Sequence, residues 1–262
     1  MHPILLEIGP FVLPSWHVFF VLGAFAAFFF FRFSASVSVP VVEDRDVKLV
    51  YASAYLSGYF GARLLHILVV SEHQGSLFLG AQALFSMGGM VFYGGMIGGV
   101  LGGIVCCLVR GLNFLRIMDL GLPSLFLALV LGRIGCFLNG DDYGIPHPNP
   151  QSVFAVVMPN LGDNIARYPV QLFESLIVAV CVFVTWRKLD YFLRKPSGYL
   201  SAVLIVTYGV FRFILEFFRG DERGWLVEGA ISTSQGISIV MVLVGLGLLG
   251  YSNSQRRSPS SS

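Results

Sequence analysis

Residues 11–33 read FVLPSWHVFFVLGAFAAFFFFRF, with Phe28, Phe29, Phe30 and Phe31 in a row. This stretch decides the class of the chain. A hydrocarbon layer about 30 Å thick is crossed by roughly 20 mostly apolar residues wound as a helix, and residues 11–33 supply that length. No basic residue precedes the run and no small-residue cleavage site comes after it, so it reads as a retained span and not a cleaved signal peptide. Working outward, residues 47–70, 84–109, 114–138, 169–189, 197–218 and 235–251 qualify in the same way. The composition agrees: 55% of the 262 residues are hydrophobic and only 12% are charged, against about 25% charged in an ordinary soluble domain. Disorder is excluded and a soluble core is disfavoured. A net charge of +2 gives no global field for nucleic acid. The expected fold is an all-α membrane protein of about seven transmembrane helices. Residues 1–251 are expected to form a single polytopic domain, and 252–262, ending Ser-Pro-Ser-Ser-Ser, a disordered cytoplasmic tail.

The basic residues orient these spans. Eleven of the 17 fall on one set of connections: Arg32, Arg45, Lys48, Arg110, Arg116, Arg187, Lys188, Arg194, Lys195, Arg256 and Arg257. The opposite set carries Arg167, Arg219 and Arg223. Lys and Arg accumulate on the cytoplasmic side, so the N-terminus is expected outside and the C-terminus in the cytoplasm. Two outer connections are long, 71–83 and 139–168. The second holds Asp141, Asp142, His147 and several prolines, and is expected to form a small extracytoplasmic cap between spans 4 and 5.

The remaining Arg63, Arg133 and Arg212 lie inside spans 2, 4 and 6. Each sits about five to seven residues before the outer end, roughly 10 Å below the boundary at 1.5 Å per residue. Arginine in hydrocarbon is costly and marks function. Three guanidiniums at one depth suit an anion, a phosphate ester best of all, because the planar fork matches its oxygens. A phospholipid headgroup is the anion available there. Snorkelling, or pairing with a buried carboxylate, is the competing explanation for each arginine. In span 6, Tyr208, Arg212, Glu216 and Arg219 recur at helical spacing and form one polar stripe, with Glu216 a turn from Arg212 and able to orient it. Glu174 opens span 5 behind Pro169, either as part of the site or as a complement to the helix dipole. Asp119 reads as structural. The glycine run 88–103 of span 3 reads mostly as close helix packing, with Tyr93 its one prominent polar side chain. The four cysteines and five histidines show no metal-ligand spacing, so no metal and no cofactor is expected. Cys136 reads as a small core residue.

Several of these stretches, taken in order, resemble one family. Gly132-Arg-Ile-Gly-Cys-Phe-Leu-Asn-Gly140 is similar to the G-R-x-G-N-F-x-N-G signature of prolipoprotein diacylglyceryl transferases. Matches in the same order as in that family are Ile8-Gly-Pro10, Gly89-Met-Val-Phe-Tyr-Gly-Gly95, Pro169-Val-Gln-Leu-Phe-Glu174 and Tyr208-Gly-Val-Phe-Arg-Phe-Ile-Leu-Glu-Phe-Phe-Arg219. The resemblance implies a multi-pass enzyme of the bacterial inner membrane. Such an enzyme moves the diacylglyceryl group of phosphatidylglycerol onto the lipobox cysteine of a prolipoprotein, making a thioether and releasing glycerol phosphate. It implies that Arg133 binds the headgroup, that Arg212 assists at the same phosphate and that Glu216 holds Arg212. Asn139, Asp141 and Gly144 would shape the site beneath the cap, with Tyr208 and Glu174 on the substrate side. The chain also departs from the family pattern. Tyr93 stands where the family usually has the histidine that is its candidate for thiol activation, Cys136 where it has asparagine, Asp141 where it has glutamate and Trp16 where it has tyrosine. Two other readings stay open: a lipid-binding relative that keeps the phosphate clamp without thiol activation, and a small-anion transporter.

Overall fold

The computed structural model describes residues 3–8, 11–69, 91–221, 224–227 and 230–255. Its helices are α1 (Ser15–Ser36), α2 (Asp44–Val69), α3 (Phe92–Arg110), α4 (Phe114–Asn139), α5 (Val170–Arg187), the short α6 (Leu189–Leu193), α7 (Tyr199–Leu215) and α8 (Thr233–Gln255). Six of them are long and apolar enough to cross a membrane: α1, α3 from Tyr93, α4, α5, α7 continued to Phe218, and α8. The chain is thus a multi-pass membrane protein. Helix α2 has the length, 26 residues, but carries Asp44, Arg45, Asp46, Lys48 and Arg63. Large apolar side chains face outward along the helices, as with Phe25 and Phe29 of α1 and Leu176, Val180 and Phe183 of α5. In water such a surface would aggregate; against lipid tails it is the stable arrangement.

The expected spans match these helices to within a few residues. The beginning of the span expected at 84–109 and the connection 71–83 lie outside the described residues, as do Gly9, Pro10 and residues 256–262. Helix α8 runs to Gln255, four residues beyond the expected end of order at Tyr251, and Ser252 is fully buried there with its hydroxyl donating to the Pro196 carbonyl at 3.4 Å. Small antiparallel hairpins are added to the expected all-helical fold: β1 (Ile4–Ile8) with β2 (Phe11–Pro14), β3 (Val156–Val157) with β4 (Ala166–Arg167), and β5 (Trp225–Val227) with β6 (Ile231–Ser232). With strands of two to five residues, none gives a period-two pattern long enough to read from sequence.

Two compact units are present, residues 35–117 and the remainder. The smaller unit is built on α2 and α3. Gly58 and Gly61 of α2 meet Gly94, Gly95, Gly98 and Gly99 of α3 backbone to backbone, and a Cβ on Gly61 would come 3.1 Å from the Gly98 Cα. Ser53 Oγ donates to the Gly102 carbonyl at 2.9 Å across the same seam. Small residues spaced four apart let the two backbones approach, which accounts for the glycine run. Arg63, buried at 2% exposure, and Tyr93 belong to this unit.

The larger unit has its core between α4, α5 and α7, where Phe126, Val178, Val182, Leu200 and Leu204 pack together. Helical spacing then places polar residues on the same faces. Arg133 lies two turns beyond Phe126, Glu174 one turn before Val178, and Tyr208 and Arg212 one and two turns beyond Leu204. Each interior face is therefore apolar over one half and polar over the other. At the opposite end from those polar groups, Asp119 accepts from the backbone N–H groups of Gly198 and Ser201, both at 2.7 Å, and so caps α7 from α4. The sequence places Asp119 as structural, beside Arg116; the role the structure gives it is this backbone cap on α7.

Candidate active site

Helix α4 stops at Asn139 because Gly140 takes a left-handed φ of 84°. Asp141 N–H donates to the Cys136 carbonyl and Gly140 N–H to that of Phe137, at 3.1 and 3.3 Å. This paired closure of a helix end favours glycine at the left-handed position. The Asn139 side chain turns back to Asp141 Oδ2, the Asn139 carbonyl accepts from Asn160, and Gln171 Nε2 donates to the Asp141 carbonyl at 2.5 Å. Asn139 and Asp141 thus build the floor of the cap. The next residue, Asp142, also has a left-handed φ of 59°, and its side chain is carried towards Arg133.

Arg133 is the hub. Its Nη1 donates to Asp142 Oδ2 at 2.5 Å. Its Nε lies 3.0 Å from Glu174 Oε2, an ion pair without hydrogen-bond alignment. Glu174 is 1% exposed, and its other oxygen accepts from the Tyr208 hydroxyl at 2.7 Å. One buried carboxylate therefore joins α4, α5 and α7. Of the two roles left open for it at the start of span 5, the structure shows the buried counter-ion of Arg133, at the fifth residue of α5 and past its first turn. Cys136, three residues on from Arg133 and so on the same face of α4, is partly buried.

Arg212, also buried, forms a second pair. Its Nη1 is 2.8 Å from Glu216 Oε2, as its spacing predicts. Ser232 donates to Glu216 Oε1 at 2.8 Å and Arg212 Nη2 reaches Ser234 Oγ at 3.3 Å, two hydroxyl contacts that the sequence did not suggest. Arg212 lies one turn beyond Tyr208 on α7, and Tyr208 bonds the same Glu174 that pairs with Arg133, so the two guanidiniums share one neighbourhood.

The expected stripe on span 6 holds through Glu216 and then changes. Helix α7 ends at Leu215, Glu216–Phe218 tighten into a 3-10 turn, and Arg219 is extended. Arg219 instead closes the cap. Its Nε and Nη2 donate to the two oxygens of Asp221 at 2.9 and 3.0 Å, and Nη2 also lies 2.9 Å from Asp142 Oδ1. Gly144 pairs with Arg219 as an isolated antiparallel bridge, and Ile145 N–H donates to the Phe218 carbonyl at 2.9 Å. A Cβ on Gly144 would stand 2.8 Å from Val170 Cγ2 and 2.9 Å from the Phe218 carbonyl oxygen, so only glycine lets these strands of backbone meet. Farther out, Arg167 holds Asp163 through two hydrogen bonds, at 2.9 and 2.5 Å, and lies over the Tyr143 ring.

The structure thus gathers Arg133, Glu174, Tyr208, Arg212 and Glu216 in the larger unit, with Asn139, Asp141 and Gly144 framing them. Tyr93 and Arg63 are placed in the smaller unit. Sequence reasoning gave Asp142 no role, although it pairs with two arginines. The only signal was its position after the Asn-Gly turn, and nothing local distinguishes it from Asp141.

Helices with convergent buried guanidiniums beneath a small polar cap define a membrane protein suited to a phosphate-bearing lipid. Residues 3–251 match the family model described as prolipoprotein diacylglyceryl transferase, and the chain belongs to that family. Its relatives include the phosphatidylglycerol–prolipoprotein diacylglyceryl transferase of Clostridium tetani, 31% identical over 257 residues that cover 94% of this chain and 96% of the relative. The proteins of the same name from Rhodospirillum rubrum and Geobacter sulfurreducens are 31% and 30% identical, each covering 93% of this chain and 89% and 92% of their own lengths.

Proposed function

We propose that the chain transfers the diacylglyceryl group of phosphatidylglycerol to the lipobox cysteine thiol of a prolipoprotein, in lipoprotein maturation. The observation that carries this reading is the pair of buried guanidiniums, Arg133 and Arg212, each steadied by its own carboxylate beside Tyr208. The new bond joins the thiol sulfur to the terminal glycerol carbon. The bond broken runs from that carbon to a phosphate oxygen, which keeps the electron pair and departs as glycerol phosphate. The thiol proton goes to a base. Attack on an sp³ carbon develops no carbonyl oxyanion, so the main task is to stabilise charge gathering on the leaving phosphate. Arg133 binds that headgroup. Arg212, oriented by Glu216, meets the same phosphate as charge develops. Asn139, Asp141 and Gly144 hold the cap, and Glu174 with Tyr208, on the substrate side, orients Arg133 for the headgroup. For the proton we keep Tyr93, solely on the position it holds in the family motif. The attacking thiol comes from the substrate. The protein sits in the bacterial inner membrane as one polytopic domain, N-terminus outside, with its site in the outer leaflet.

The test uses the purified full chain with labelled phosphatidylglycerol and a lipobox peptide. Thioether product is expected. Arg212→Ala should lower kcat by about 10²–10³, the scale for removing one donor from a developing anion. Tyr93→Phe should lower it by about 10²–10⁴, the scale for losing a general base. A folded wild-type chain that binds the lipid but makes no thioether would reduce the assignment to a lipid-binding relative.

A further inference from the structure

Asp142 stands between two arginines that the fold brings from different parts of the chain. One oxygen accepts from Arg133 Nη1 at 2.5 Å, and the other lies 2.9 Å from Arg219 Nη2. Two oxygens on one carbon spanning two guanidinium forks is the geometry that two oxygens on one phosphorus would adopt. Each arginine also has a second carboxylate to itself, Glu174 for Arg133 and Asp221 for Arg219. Removal of Asp142 therefore leaves neither buried cation bare. Asp142 is also the most exposed of these acids, its side chain 21% accessible against 18% for Asp221 and 1% for Glu174. It alone among them sits on a left-handed turn outside the helices, where a small backbone rotation can swing it into water. Finally, Arg219 Nη1 is buried without a hydrogen-bond partner among the described residues, on a side chain only 2% exposed. It is a donor left over after both acids are bound.

We propose that Asp142 is an internal stand-in for a phosphate ester: it bridges Arg133 and Arg219 in the ligand-free protein, and the incoming headgroup displaces it. This adds Arg219 to the headgroup site and makes Asp142 a residue that sets apparent affinity by occupying that site. The inference rests on the assignment of the headgroup to Arg133. The same chemistry is presented by the lipid-held ester and by the glycerol phosphate that is released, so both are measured.

The experiment determines KM for phosphatidylglycerol and the inhibition constant of free glycerol phosphate, using the full chain with Asp142→Asn and Asp142→Gly. Both substitutions tolerate a positive φ, which keeps the turn intact. Expected is a fall of about three- to ten-fold in one or both constants, larger than any change in kcat, the size produced when an occluded fraction of roughly 70–90% is relieved. A fall in KM alone assigns the displacement to the lipid, and a fall in the inhibition constant alone assigns it to the released product. If both constants stay level or rise in folded variants while Arg133→Ala raises KM, the displacement is overturned and the headgroup assignment survives. If Arg133→Ala also leaves KM level, the headgroup assignment falls as well.

Discussion

At the residue scale, the site depends on which acid answers each buried arginine. Glu174 is nearly inaccessible, pairs with Arg133 and accepts from Tyr208. Neutralising it leaves a buried guanidinium short of one counter-ion, a change that costs about 3–5 kcal/mol where no other partner remains. Asp142 still faces Arg133, so Glu174→Gln is expected at or below the lower end, about 3 kcal/mol, with a clear loss of thermal stability in detergent. Tyr208→Phe removes one hydrogen bond to a charged acceptor, worth about 1.5–3 kcal/mol. Because both act on the same carboxylate, the double variant should be less destabilised than the two single losses added together. Strict additivity would show that Tyr208 and Arg133 do not share Glu174.

Elements set where those residues point. Helix α4 would carry its polar groups past the site if Gly140 did not end it; the left-handed turn instead sends Asp142 back to Arg133. The hairpin of β3 and β4 is held at its turn by Arg167 on Asp163. That contact, with a further hydrogen bond from the Ile165 N–H, lowers the Asp163 pKa to about 2. A carboxylate ordinarily titrates near 4. The folded value is depressed, so this contribution to hairpin stability is complete above about pH 4 and is lost as pH falls through about 2. Titration of the Asp163 carboxyl by nuclear magnetic resonance should give a midpoint near 2, and Arg167→Gln should return it towards the ordinary value. A midpoint unchanged by that substitution would remove Arg167 as the cause.

For the whole molecule, the asymmetry of basic residues predicts an N-terminus outside and a C-terminus in the cytoplasm. Reporter fusions at Gln255 should be active as cytoplasmic reporters, and fusions within residues 148–152 as extracytoplasmic ones. The reverse pattern would put the cap on the wrong side for the proposed substrates.

The range of each interaction decides whether it is legible in the sequence. The spans are readable because crossing hydrocarbon is a local demand: about 20 apolar residues either are present in sequence or are not. The Arg212–Glu216 pair is readable because helical spacing alone brings residues four apart together. The glycine run of α3 is readable as a packing face for a related reason, since small residues four apart permit close approach of two helices; that α2 is the partner is shown only by the structure. The hubs are not readable. Glu174 reaches Arg133 and Tyr208 across 41 and 34 residues, and Asp119 caps α7 from 79 residues away. The choice of Asp142 over Asp141 as the acid that meets Arg133 depends on a turn whose left-handed φ only the closed cap enforces. By itself the sequence determined which segments lie in the membrane and which cations they carry. Only the tertiary structure decided which acid answers each cation, because a buried charge takes whichever partner the packing of distant helices brings within about 3 Å.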